Sequence, residues 1–324
     1  MDTRKCVIGV DLGGTKIALG TVDEEGRLLG MLRYDTDRRG GPGAVISQIV
    51  KGVRQLKRET AISLSGIGIG VAGQVDSGTG GVIFAPNLDW HNVPLGADLE
   101  KECALPVVVT NDVRAALWGE WLFGAGRGAT DLLCIFVGTG IGGGIVCGGR
   151  VLEGCSNTAG EIGHITVDLN GPLCHCGNRG CMEAIAGGWG IARRTHESVK
   201  ADPASGSTIL KLAGGKVEDI TAKTVAQAFF AGDPLAVEII KEVTDALGAG
   251  IASLVNAINP CQIILGGGFI EGMPELVSRI DEGVRRRALS AATGRLTVCA
   301  SKLGNDAGII GAGALAMKTI SGSM

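Results

Sequence analysis

A chain of 324 residues, 45% hydrophobic and 19% charged, is long enough for two domains or one large α/β unit with a cleft, and apolar enough to bury a substantial core. That balance excludes bulk disorder, and a net charge of −3 offers none of the strongly basic surface that nucleic acid selects. No stretch of about eighteen apolar residues runs without a charge or a glycine cluster, and the opening MDTRKCVIGVDLGG lacks the apolar segment of a signal peptide, so the expectation is a cytoplasmic chain without a membrane span, its ten cysteines reduced.

In chain order, residues 6–10 form a short apolar strand ending at Asp11, followed by a glycine turn, a strand over 17–22, a polar turn and a strand over 27–32. Residues 43–60 place Ile46, Ile49, Val50, Val53 and Leu56 on one stripe of an amphipathic helix. A buried strand over 67–71 ends at Ala72-Gly73, and residues 86–90 read as a loop. A strand over 107–109 leads to Asn111-Asp112, which opens a helix running to about Phe123. The design then restarts, with a strand over 131–137, a glycine turn over 138–144, a strand over 145–147, a Gly148-Gly149 turn and a third strand over 150–152. This internal echo predicts a duplicated fold with a cleft between its halves. Residues 187–259 are mainly helical, with Ile239, Val243, Leu247, Ile251 and Val255 on one face. A strand over 261–265 runs into Gly266-Gly267-Gly268, and the Gly- and Ala-rich stretch 306–318 is a closing helix.

Glycine is the compositional outlier, at 55 residues against 3% aromatics, and it clusters at strand ends where a backbone can approach a ligand closely. In Asp11-Leu12-Gly13-Gly14-Thr15-Lys16, backbone N–H groups can converge on anionic oxygens, with Thr15 and Lys16 adding donors and Asp11 orienting a hydrated Mg²⁺. An ordinary hairpin turn is the competing reading, and the spacing is not that of a Walker A loop. Gly138-Thr139-Gly140-Ile141-Gly142-Gly143 contains GxGxxG, but between two strands rather than at the start of a helix, which argues against a dinucleotide fold. Two such turns together with Gly266-Gly267-Gly268 favour a nucleoside triphosphate. Asp112, at a strand end and helix start, is placed to accept a proton from an attacking hydroxyl; a plain helix N-cap is the alternative.

The most specific local pattern is His164 followed by Cys174-His175-Cys176-Gly177-Asn178-Arg179-Gly180-Cys181. Three thiolates and an imidazole make a closed tetrahedral Zn²⁺ set, with His164, Cys174, Cys176 and Cys181 as ligands and His175 as an alternative. Buried core cysteines are the bland alternative, but three within eight residues of a polar, glycine-bearing loop are poor core material. Glu161 and Glu183 flank the loop and suit bidentate hydrogen bonds to neighbouring sugar hydroxyls, while the second ring nitrogen of His164 stays available for another. Exposure without a role is the competing reading, weightier for Glu183 than for Glu161.

Together these stretches resemble the ROK family (repressors, open reading frames and sugar kinases) of the actin-like ATPase superfamily. They are DLGGTK at 11–16, PNLDW at 86–90, ND at 111–112, GTGIGGG at 138–144, AGEIGH at 159–164 and CHCGNRGCMEA at 174–184. The resemblance implies an α/β chain with a duplicated actin-like (ribonuclease H-like) fold, in a small domain over 1–112 plus about 305–324 and a large one over 113–304. It further implies an ATP-dependent sugar kinase of glucokinase type, with Asp112 as base. Gly73, Asn87, Asn111, Glu161, His164 and Glu183 would hold the sugar. Asp11, Gly13, Gly14, Thr15, Lys16, Gly138, Thr139, Gly140 and Gly142 would hold phosphates, and Gly266, Gly267 and Gly268 would lie near the adenosine. A homodimer or homotetramer is expected, as is the absence of nucleic acid and membrane partners. N-acetylmannosamine and N-acetylglucosamine kinases fit the motifs nearly as well, and a sugar-binding regulator is the alternative of another class. The phosphate motif begins almost at once, so no DNA-binding helix-turn-helix is expected before it, which favours an enzyme over a regulator. Where relatives read NDANAA, this chain has Val113-Arg114-Ala115-Ala116 after the base, and Gly188 stands where a serine often follows the zinc loop.

Overall fold

The computed structural model describes residues 5–60 and 62–322, so the outermost residues of the expected small domain lie outside the described set. The chain divides into two compact units, one drawn from Met1–Gly128, Glu153–Ala159 and Lys302–Met324, the other from Ala129–Leu152 and Gly160–Ser301.

In the first unit a five-stranded sheet runs in the order Leu28–Asp35, Lys16–Val22, Cys6–Leu12, Leu64–Val71, Val107–Asn111. The first three strands form an antiparallel meander, and the last two add parallel to Cys6–Leu12. Cys6–Leu12 is buried at every position but Asp11, as a central strand covered on both faces must be. The helix Gly41–Thr60 buries Val45, Ile46, Ile49, Val50, Val53 and Leu56 in the same core as the strands. On the other face lies the closing helix Ala307–Ile320, whose Ile309 packs with Val7 and Val22. It comes so close that a Cβ at Gly9 would sit 1.9 Å from the Ile309 oxygen, and one at Gly68 would sit 1.8 Å from that of Ala312. The glycines in these strands are therefore a seat for a helix.

The second unit repeats the plan. Its sheet runs Arg150–Val151, Ile141–Cys147, Leu132–Val137, Gln262–Gly266, Thr297–Ala300, again a meander followed by two parallel strands. The echo read from the two glycine turns is thus a duplicated topology. The helical region resolves into Gly188–Ala201, Ser207–Leu212, Ala222–Phe230 and Pro234–Ile258. The last starts with Pro234 at its first turn, and Asp233 accepts the Ala236 N–H as its cap.

Two features differ from expectation. Residues 86–90 are not a plain loop: a small antiparallel sheet of Gln74–Asp76, Gly81–Ala85 and Trp90–Val93 surrounds a 3₁₀ turn at Pro86–Leu88. The unit boundary also does not fall after residue 112. The helix Asp112–Leu122 stays with the first unit because Gly119 and Gly311 let it cross the closing helix at backbone distance; a Cβ on Gly311 would lie 1.7 Å from the Ala115 oxygen. Residues 153–159 join the same unit through Arg114, whose Nη2 donates to the Asn157 carbonyl at 3.0 Å, while Asn157 Nδ2 donates to the Val75 carbonyl at 3.2 Å.

Candidate active site

In the first unit, Leu12, Val71 and Asn111 stand side by side at the carboxyl ends of three parallel strands. In an α/β sheet this edge is where ligands bind. Asn111 itself caps the helix Asp112–Leu122, its Oδ1 accepting from Val113 N at 3.0 Å and Arg114 N at 3.2 Å. Asp112 is therefore the first helical residue and not the cap. The Asn111 amide also donates to the Gly73 carbonyl at 3.2 Å, so Gly73, Asn111 and Asp112 form one local cluster.

The first glycine turn is closed by Gly13 N donating to Lys16 O at 3.0 Å and braced by the Thr36 hydroxyl on Gly13 O at 2.8 Å. Thr15 and Lys16 are exposed at its tip. Gly14 packs directly on Asn87, whose carbonyl would lie 2.6 Å from an added Cβ. Asp11 is half-buried, and its pKa is pushed up to about 6, first by burial and then by the neighbouring negative charge of Asp112, with Arg33 pulling the other way. Two carboxylates that raise each other's cost of ionisation are the arrangement a divalent cation relieves.

In the second unit the turn is tighter than the sequence implies. Gly138 N donates to Gly140 O at 2.9 Å, and the strand begins at Ile141, so Gly142 lies within the sheet opposite Phe136 rather than in the turn. Gly266 is likewise a strand residue; Gly267, at φ 88°, makes the bend and Gly268 starts a short helix. A Cβ on Gly267 would meet the Val137 oxygen at 2.5 Å. A cavity of about 770 Å³ opens beside Gly138, Thr139 and Gly268, with Trp189, Lys223 and Gln227 also in its walls. Those last three were missed by sequence reading, because Lys223 and Gln227 sit on an ordinary amphipathic helix without a motif.

Glu183 departs from expectation. Its Oε2 accepts Ile141 N–H at 2.9 Å and its Oε1 accepts the Trp189 indole N–H at 3.2 Å. It is half-buried against the glycine turn, where an added Cβ on Gly140 would sit 2.4 Å from its Oε2. Glu161 is the exposed one of the pair. It precedes the turn Ile162–His164, which packs on strand Ile141–Cys147 so closely that a Cβ on Gly163 would lie 2.1 Å from the Ile141 oxygen.

The donor atoms of His164, Cys174, Cys176 and Cys181 all lie within 4.8 Å of one another. Cys176 and Cys181 Sγ are 3.6 Å apart, and Cys174 Sγ is 3.7 Å from His164 Nδ1. A tetrahedral ion with Zn–S bonds of about 2.3 Å requires S···S edges of about 3.8 Å and slightly shorter N···S edges, so the donor set fits zinc. Gly177 and Gly180, at φ 89° and 66°, supply the left-handed bends that wrap the loop. Burial raises the Cys174 thiol, and burial together with the neighbouring thiols pushes Cys181 up to about 12, whereas the Asn178 N–H lowers Cys176. Such a set becomes three thiolates only with a cation among them. His175 is outside the set; its ring lies on Trp189.

The chain is similar to known proteins over nearly its whole length. The ROK family profile matches residues 7–319. The glucokinase of Streptomyces coelicolor is 38% identical over 310 residues, covering 95% of this chain and 96% of that one. The glucokinase of Thermotoga maritima is 38% identical over 317 residues, covering 98% of each. A crystal structure of a ROK family glucokinase from Streptomyces griseus in complex with glucose and AMPPNP superposes with a TM-score of 0.81 at 39% identity, over 96% of this chain and 98% of that one. Duplicated sheet, paired glycine turns and Cys/His loop occur together in a chain matched along nearly its whole length, and the chain belongs to the ROK family.

Proposed function

We propose that this chain is an ATP-dependent hexose kinase that forms glucose 6-phosphate from glucose. The observation that carries the reading is the position of Asp112: first residue of a helix, at the carboxyl edge of a parallel sheet, with the capping duty taken by Asn111. A carboxylate at that edge, in the first turn of the helix and not serving as its cap, is placed to act as a base. It accepts the proton of the sugar 6-hydroxyl as that oxygen attacks the γ-phosphorus. Asn111 fixes its direction through the cap, and Gly73 and Asn87 line the same sheet edge as sugar contacts. Glu161 and the second nitrogen of His164 read further hydroxyls. Glu183 keeps one lone pair on each oxygen for the same purpose while holding the glycine turn. N–H groups of the turns at Gly13, Gly14, Thr15, Gly138, Thr139 and Gly140, with Lys16, hold the phosphates, and Gly267 and Gly268 border the nucleoside. Mg²⁺ bound near Asp11 would neutralise charge on the transferring group. Zn²⁺ held by His164, Cys174, Cys176 and Cys181 is structural, since four protein donors leave no position for water.

A coupled ADP-release assay over a panel of hexoses and N-acetylhexosamines tests this. Glucose is expected to give the highest kcat/KM. A far higher value for N-acetylmannosamine would replace the acceptor, and ADP release with no sugar in the panel would leave a sugar-binding regulator.

A further inference from the structure

The loop that carries the metal donors also builds one wall of the cavity in the second unit. His175 sits between donors Cys174 and Cys176, and its ring stacks on Trp189 with centroids 4.0 Å apart and planes at 21°. Trp189 lines the cavity beside Gly138 and Thr139. Its backbone N–H donates to Thr139 O at 2.9 Å and its indole N–H to Glu183 at 3.2 Å. Glu183 stands two residues after donor Cys181, and its other oxygen receives Ile141 N–H at 2.9 Å. The loop thus reaches one glycine turn from both of its ends, by a ring stack and by a carboxylate. Neither His175 nor Glu183 is a metal donor, so holding an ion does not account for either contact. An indole whose N–H is fixed and whose face is covered has a single orientation left to it.

Building on the kinase reading, we infer that His175, Glu183 and Trp189 are positioning residues for the phosphoryl donor: through them the metal-bearing loop sets the shape of the nucleotide cavity and of the turn at Gly138-Thr139-Gly140. His175 is the informative member, because it touches the cavity wall and is not a donor. It should act more strongly on nucleotide affinity than on sugar affinity, because Glu183 keeps its bond from Ile141 N–H when the ring stack is lost.

The experiment is calorimetric titration of the full chain, supplied with Zn²⁺, against a non-hydrolysable ATP analogue and separately against glucose. His175→Ala should keep the wild-type metal content, raise the analogue Kd roughly two- to tenfold, and leave the glucose Kd within about twofold. Steady-state kinetics should show the same split, with KM for ATP raised and KM for glucose unchanged. His175→Phe, which restores a stacking ring without an imidazole, should recover nucleotide affinity. Trp189→Phe, which loses the indole N–H, should not. Unchanged analogue binding in His175→Ala would overturn the inference. So would a Phe variant as weak as the Ala variant, a parallel loss of glucose affinity, or lost metal in His175→Ala. A wild-type chain that binds the analogue with this pattern but phosphorylates no hexose would remove the glucokinase reading and leave the positioning role intact; a chain that binds no adenine nucleotide would sink both.

Discussion

Asp11 and Asp112 belong to strands and a helix on either side of Leu64–Val71, and their charges oppose each other. Asp112 is a residue-scale test of the chemistry. Asp112→Asn keeps shape and helix position but cannot take a proton, so turnover should fall about 10²-fold or more while glucose binding by calorimetry changes little. Near-normal turnover would end its role as base. Asp11 gives a test in pH. Its unfolded value is near 3.8 and its folded value about 6, so between these the folded chain binds more protons than the unfolded one, and stability falls as pH rises through that window. The loss is complete above about pH 6 and absent below about 3.8. Asp11→Asn should therefore raise the Tm of the nucleotide- and Mg²⁺-free protein by roughly 2–4 °C at pH 7.5, with no gain at pH 3.5, the modest size reflecting partial solvent screening. Phosphoryl transfer should drop in the same variant. Equal gains at both pH values would mean that packing, and not ionisation, sets the difference.

At the scale of elements, the glycines divide into two kinds that the sequence does not distinguish. Those at 13–14 and 138–140 could be read as ligand turns because they interrupt apolar strands. Gly9 and Gly68 lie inside strands, and only the structure shows them as the seat of the closing helix. Gly68→Ala should cost about 3 kcal/mol or more in urea unfolding, since the added methyl meets backbone that cannot move away. Gly43→Ala, early in the helix Gly41–Thr60 with nothing within 4 Å of the new Cβ, should instead stabilise by about 0.5 kcal/mol. Similar effects from the two would refute the seat. The same limit on sequence explains the sheet around Pro86–Leu88: its strands are three to five residues long, too short for alternation to register. The Cys/His loop was legible because donor chemistry is written in residue type and spacing. The hold of Glu183 on Ile141 was not, because it joins residues 42 apart through a backbone N–H, which leaves no trace in side-chain identity.

At the scale of the whole molecule, the duplicated sheets appear in sequence as two meanders, but the Cys/His loop lies in one copy, and no second such donor set occurs among the described residues. Its consequence should be global to that copy's core. Cys181 runs straight into the helix Met182–Ala186, and Met182 is fully buried in the cluster formed by Leu133, Ile135, Leu247 and Ile251. Met182 is packed so tightly against the long helix Pro234–Ile258 that a Cβ on Gly250 would lie 2.6 Å from its sulfur. An ion gathering the four donors would fix the approach to that residue, so metal binding energy is shared with the core. Metal analysis of the purified chain should find about one zinc per chain, consistent with the single four-donor set among the described residues. Cys176→Ser, which alters the exposed donor and leaves the buried ones in place, should lower that content and reduce Tm by several degrees, with glucose affinity falling because Glu161 and His164 lose their fixed support. Chelation of the wild-type chain should reproduce the shift, and added Zn²⁺, but not Mg²⁺, should reverse it in the wild type and only weakly in the variant. A metal-free wild-type protein with the same Tm and the same glucose affinity would show that the loop closes without an ion and would take zinc out of the mechanism.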